Sequence, residues 1–191
     1  MKKILIFESV KGAGKTVLID ALSRRLKNCA IYSEEATLDP IRHISDHTEH
    51  VWHYKKIIQS IKDSPCEYFL LDRFHYTKWQ KDEYDKEYFR DIEAELCEAG
   101  EAILIFLTIN ENAMLSRLEK TWHYRRASGW KYNADGAPLE AEADRDIAYQ
   151  RFFLEHQYAD TILKKYTLDV TALEYDKNII EAYVERIRSV I

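Results

Sequence analysis

A doubly wound α/β domain built on a parallel sheet is the fold this sequence predicts, and three observations predict it. Apolar bursts alternate with amphipathic stretches about five times along the 191 residues. Two bursts, Leu70-Leu71 and Ile103-Leu104-Ile105-Phe106-Leu107, are unbroken apolar runs, as strands buried on both faces of a sheet require. The first burst leads straight into a glycine turn and then a helical pattern. With 46% apolar residues and neither an internal repeat nor a linker, residues 1–191 read as one domain with right-handed crossovers.

In chain order, Ile4 to Phe7 mark a strand at 3–7, and Val17, Leu18, Ala21, Leu22 and Leu26 share a helical face over 15–27. A strand at 29–33 precedes a helix near 44–62, on which His43, His47, His50 and His53 recur at spacings of four, three and three. Strand 67–71 ends at Asp72-Arg73, and helix 83–99 leads to strand 102–108. A helix near 111–121 then meets the irregular segment 122–142, which holds two of the five glycines and the basic residues Arg125, Arg126 and Lys131. An excursion of that length inside a compact domain points to function or motion. Residues 140–146 form an acidic helix start, matched to the helix dipole, for a long helix over 143–164 whose Tyr149, Phe152, Phe153 and Tyr158 read as core. Strand 167–171 and helix 176–190 complete the pattern.

Charge and composition narrow the function. The formal net charge of −5 gives no overall basic field, so no nucleic acid polymer is expected as partner. The apolar run after Met1-Lys2-Lys3 stops at Glu8, too soon for a secretory leader, and no stretch approaches membrane-spanning length. Three scattered cysteines, Cys29, Cys66 and Cys97, read as reduced thiols of a cytoplasmic protein.

The chemistry concentrates in two places. Residues 9–16, Ser-Val-Lys-Gly-Ala-Gly-Lys-Thr, form a phosphate-binding P-loop in its required strand–turn–helix setting, with Ser9 where the general pattern has glycine. Gly12 and Gly14 let the backbone close on an anion, so the amides of Lys11, Gly12, Ala13, Gly14, Lys15, Thr16 and Val17 would face the phosphates of ATP. Lys15 would neutralise phosphate oxygens, and the Thr16 hydroxyl would bind Mg²⁺. The second place is Asp72-Arg73, where a buried strand ends and open α/β sheets bind their ligands. Asp72 could hold a Mg²⁺-bound water or orient an acceptor, and Arg73 could grip a phosphate or a carboxylate.

On these residues the chain resembles a known group. Phe7-Glu8-Ser9-Val10-Lys11-Gly12-Ala13-Gly14-Lys15-Thr16 is similar to the opening of thymidylate kinases and of deoxynucleoside kinases. Leu71-Asp72-Arg73-Phe74 resembles the D-R-[YH] motif of the former and the E-R-S motif of the latter. The resemblance implies a P-loop NTPase fold of three layers, a five-stranded parallel sheet flanked by helices, with a lid at about 122–142. It implies ATP and Mg²⁺, and lid arginines at Arg125 and Arg126 reaching the transferred group. It also implies a homodimer through helices as an option. Lys11 stands where thymidylate kinases usually carry an acidic residue, and Ser33-Glu34-Glu35-Ala36-Thr37 replaces E-P-[GV]. One of Glu34 and Glu35 would then be the base that deoxynucleoside kinases use on the sugar hydroxyl.

Trp52, Tyr54, Phe74, Tyr76 and Trp79 bracket the Asp72-Arg73 strand end, and two such rings suffice to stack a base. The histidine row has metal-like spacing without an H-E-x-x-H motif and reads as polar surface or pocket lining. Arg117, Arg125, Arg126, Lys131 and Arg145 have the charge to stabilise a phosphoryl group in flight. The expectation is an ATP- and Mg²⁺-dependent kinase of a nucleoside or nucleoside monophosphate, with Lys15, Asp72, Arg73, Arg125 and Arg126 as its catalytic set. The alternatives are a P-loop kinase of another small acceptor or polynucleotide end, and a nucleotide-dependent switch without transfer.

Overall fold

The computed structural model describes residues 1–82, 86–127 and 138–191, and gives the backbone alone for 79–82, 88 and 124–127. Its elements are β1 (Lys3–Ser9), α1 (Lys15–Ser23), β2 (Cys29–Tyr32), α2 (Glu34–Thr37), α3 (His47–Asp63), β3 (Tyr68–Asp72), α4 (His75–Asp82) and α5 (Lys86–Ala99). There follow β4 (Glu101–Thr108), α6 (Met114–Ala127), α7 (Leu139–Phe152), a π-helical turn (Phe153–Gln157), α8 (Tyr158–Asp160), β5 (Lys164–Asp169) and α9 (Lys177–Arg188).

The five strands form one parallel sheet in the order β2-β3-β1-β4-β5. Alternating side chains feed two cores. Leu5, Phe7, Leu70, Ile103, Ile105 and Leu168 meet α1 and α9 through Leu18, Leu22, Val184 and Ile187. On the other face, Ile4, Ile6, Phe69, Leu71, Leu104 and Phe106 meet α3 and α5 through Tyr54, Ile58, Ile61, Ile92 and Leu96. This is the three-layer, doubly wound α/β arrangement, and both faces are sealed as a parallel sheet requires.

The register decides where chemistry collects. Phe7 on β1 lies opposite Asp72 on β3, so the P-loop and the Asp72-Arg73 turn leave the same sheet edge side by side. The order reverses at β1, with β3 on one side and β4 on the other, and ligands of open sheets bind in the crevice such a reversal makes. Among the described residues no helix is long and apolar enough to cross a membrane.

Several boundaries differ from the sequence expectation. After β3 the described residues show a helix α4 at His75–Asp82 that was not expected, and α5 at Lys86–Ala99 within the helix expected at 83–99. The expected helix 143–164 begins at Leu139, passes into a π-helical turn at Phe153 and ends before β5, which starts at Lys164 instead of residue 167. Lys164 and Lys165 point to solvent on this edge strand, so hydrophobicity does not mark its first residues.

Candidate active site

The loop after β1 is built around two glycines in the left-handed region, Gly12 at φ +71° and Gly14 at φ +84°. A Cβ on Gly12 would lie 2.8 Å from Thr121 Oγ1, and one on Gly14 would lie 2.5 Å from Leu173 Cδ2. Gly14 caps α1, no side chain bonds to the cap, and the first helical turn holds no acidic residue. A helix start with these features suits an anion. Lys15 is buried and forms an ion pair with Asp72 Oδ1, while its Nζ lies 4.0 Å from Glu34 Oε2. Thr16 Oγ1 donates to Asp72 Oδ2 at 3.3 Å. A hydroxyl beside a carboxylate is the hard-oxygen donor set that magnesium takes together with phosphate oxygens, so these residues fit MgATP.

Arg73 has a rare backbone for its type, with φ +65°. Its N–H donates to Phe7 O at 3.0 Å, which folds the chain back over the end of β1. The guanidinium then reaches three groups: Nε donates to Glu34 Oε2 at 3.1 Å, and Nη1 donates to Thr77 Oγ1 at 3.2 Å and lies 3.6 Å from Glu8 Oε2. Burial opposes its charge, but Glu8, Tyr149 and Glu34 outweigh that and raise its pKa.

Of the two glutamates after β2, Glu34 enters the site and Glu35 is exposed. The cause is α2, a single turn docked on the end of β3 by Thr37, whose Oγ1 donates to Asp72 O at 3.2 Å. His53 Nε2 lies 3.1 Å from Thr37 O, tying α3 to the same turn. A hydrogen bond from Ser33, helped by its own main chain and less by Arg42 and Lys15, holds the Glu35 carboxyl below its usual range.

The far wall is α7. Glu142, Asp146 and Tyr149, spaced at four and three residues, share one face of it. Glu142 Oε2 lies 3.7 Å from Lys11 Nζ. Asp146 accepts a backbone hydrogen bond from Lys11, and burial pushes its carboxyl up to about 6 against the opposing charges of Lys11 and Arg73. Burial, with Glu8 nearby, likewise raises the Tyr149 phenol, which lies against Arg73 and Thr77. Sequence reasoning missed this face and took 140–146 for an acidic helix start matched to the helix dipole. The available signal was a row of polar residues at helical spacing that continues into buried Phe153. Glu8 was missed as well, although a carboxylate at the end of a run from Ile4 to Phe7 is itself unusual.

Phe74 and Tyr76 are wholly buried, so neither ring presents a face to a ligand. Phe74 packs edge-on to Tyr54, and the Tyr76 hydroxyl donates to Glu93 at 2.7 Å. Trp52 is 60% exposed on α3 and carries Lys56 Nζ 3.3 Å above its ring. Of the histidine row, His50 bonds to Ile44 O at 2.8 Å and His53 to Thr37 O, and among the described residues no group of three or more His, Cys, Asp or Glu could hold a metal. Arg125 and Arg126 fall in the last turn of α6, but their side chains, like that of Trp79, lie outside what is described, as does Lys131 with the centre of the expected lid.

Arg117, on α6, donates through Nε to Gly12 O at 3.0 Å and through Nη1 to Leu173 O. Between them Gly14, Val17, Arg117, Leu173, Glu174 and Tyr175 enclose only about 10 Å³. A larger hollow of about 460 Å³ lies at the ends of β4 and β5, away from Lys15. Gln150, in its lining, bonds to both main-chain groups of Ile109.

No family model and no curated protein matches this sequence. Solved structures do share its fold. Shikimate kinase from Bacteroides thetaiotaomicron superposes with a TM-score of 0.62 at 15% identity, over 99% of this chain and 97% of that one. Polyphosphate kinase 2 from Arthrobacter aurescens TC1 gives 0.60 at 16% identity, over 98% of this chain and 66% of that one. Shikimate kinase from Acinetobacter baumannii, in complex with shikimate, gives 0.55 at 12% identity, over 100% and 92%. At such identities the likeness establishes the fold alone, a five-stranded parallel sheet flanked by helices, and leaves the function to the site.

Proposed function

We propose that this chain transfers the γ-phosphoryl group of MgATP to a hydroxyl of a small acceptor, with nucleosides the first class to test. The observation that carries the reading is the position of Glu34. Its carboxylate is set between the P-loop lysine and Arg73, 4.0 Å from Lys15 Nζ and 3.1 Å from Arg73 Nε. A hydroxyl must lose a proton to attack phosphorus, and a carboxylate so placed can take it. A phosphate acceptor is already ionised and would be repelled by Glu34, Glu142 and Asp146. Of the two kinase groups the sequence resembles, the deoxynucleoside kinases are the nearer model.

The chain's own groups divide the work. The loop amides and Lys15 hold the donor phosphates, Lys15 exchanging its Asp72 partner for phosphate oxygens. Thr16 and Asp72 would hold magnesium, which supplies charge neutralisation on the phosphoryl oxygens. The acceptor oxygen forms its bond to the γ-phosphorus as the bond to the bridging oxygen breaks, ADP leaves, and the hydroxyl proton passes to Glu34. The nucleoside of ATP would enter the narrow slot against Gly14 by displacing Leu173 and Tyr175. Arg125 and Arg126 remain the arginines proposed to reach the transferred group.

A second reading, a non-nucleoside hydroxyl acceptor such as a cyclic polyol, is favoured by the burial of Phe74 and Tyr76, which removes two expected stacking faces. ADP release measured with nucleosides, nucleoside monophosphates, shikimate and polyphosphate separates these. Turnover with unphosphorylated hydroxyl acceptors is expected. A preference for monophosphates or polyphosphate would overturn the role given to Glu34, and ATP binding without any turnover would favour a switch.

A further inference from the structure

Glu8 is a carboxylate in the central strand of the sheet, between Phe7 and Ser9, with no exposed surface. Burial pushes its pKa up, so the charge is held there at a cost. Both oxygens serve one corner. Oε1 accepts the N–H of Phe74 at 3.1 Å, Oε2 accepts from Thr77 Oγ1 at 3.2 Å, and Oε2 lies 3.6 Å from Arg73 Nη1. A strand residue thus supplies the anion at the N-terminal end of α4. Its neighbour Phe7 fixes the Arg73 main chain through the 3.0 Å bond to its carbonyl.

The consequence reaches Glu34. An arginine facing a single carboxylate tends to grip both oxygens in a fork. Here Glu8 and Thr77 occupy the Nη1 edge of Arg73, and Arg73 meets only Oε2 of Glu34, through Nε. We propose that Glu8 is a positioning residue for the transfer reaction: it fixes Arg73 from the rigid centre of the sheet, and through Arg73 it holds Glu34 with one oxygen turned to the acceptor hydroxyl. The catalytic consequence rests on the phosphotransferase reading above; the placement of Arg73 does not. A neutral residue would cap α4 without burying a charge, so capping alone does not account for a carboxylate here.

Glu8→Gln keeps an oxygen for Phe74 N–H and removes the charge. In this variant kcat should fall about 10- to 100-fold while KM for MgATP changes less than about threefold. In a Glu34→Gln background the same substitution should lower kcat by less than about threefold, because the effect runs through Glu34. An equal loss in both backgrounds, or no loss in either, overturns the proposal. The Arg73 Nε–H resonance gives a readout free of turnover: slow exchange in the native protein, and a changed shift with faster exchange in Glu8→Gln. Thr77→Val, which removes only the hydroxyl between Glu8 and Arg73, should move both readouts the same way and substitutes if Glu8→Gln does not fold. If no acceptor is phosphorylated by the native protein, the phosphotransferase reading fails. An Arg73 signal that neither variant alters would overturn the positioning role itself.

Discussion

Glu34 and Glu35 are adjacent in sequence and chemically identical, yet the fold gives them opposite surroundings. Glu34 faces Lys15 and Arg73, whereas Glu35 faces solvent. Glu34→Gln should therefore lower kcat about 10²- to 10⁴-fold, with Glu35→Gln close to the native protein; steady-state kinetics with the best acceptor decides. Asp146 makes a different prediction. Its folded pKa of about 6 lies above the value near 4 expected when unfolded, so its contribution to stability is full below pH 4 and is lost as pH rises through 6. Asn mimics the protonated form and can still accept from the Lys11 amide. Asp146→Asn should then stabilise the protein by about 1–2 kcal/mol at pH 7.5 and by almost nothing at pH 4. Denaturant midpoints at the two pH values test it, and equal effects at both would refute the shift. A carboxylate held at such a cost beside a P-loop fits a functional role.

At the scale of elements, strand 3–7 and the start of the helix expected at 15–27, which ends at Ser23, were legible because apolar period and glycine punctuation agree there, and β4 because five apolar residues in a row allow little else. The helix α4 was not legible, since the polar residues Thr77, Lys78, Gln80, Lys81 and Asp82 break any apolar period there. The end of α7 was equally hidden: the helical pattern continues through Phe153, but Gln157 Nε2 bonds to Tyr76 O at 3.1 Å across 81 residues. Gln150 anchors the same helix to the end of β4, with its amide on Ile109 N and Ile109 O at 2.9 Å each. Both bonds are buried, so Gln150→Ala should cost about 2–4 kcal/mol in chemical denaturation and loosen the wall that carries Asp146. A loss under 1 kcal/mol would mean that α7 is held by its apolar face alone.

At the scale of the whole molecule, ligand linkage offers a test independent of the acceptor. MgATP at 100 times its Kd should raise stability by about 2.7 kcal/mol, read as a rise in melting temperature of several degrees. An unmoved transition at millimolar MgATP would remove the nucleotide from the account.

The sequence by itself determined the α/β class, the glycine loop and its lysine, and the strand end at Asp72-Arg73, because each of these is written in neighbouring residues. It could not determine that β3 lies beside β1, which of two glutamates turns inward, or that Phe74 and Tyr76 belong to the core. Nor could it place Glu8, Arg73 and α7 around one corner. Those outcomes depend on contacts between residues far apart in the sequence, from 17 positions for Tyr76 and Glu93 upward, whose geometry is fixed only when the sheet closes its order and both faces are packed.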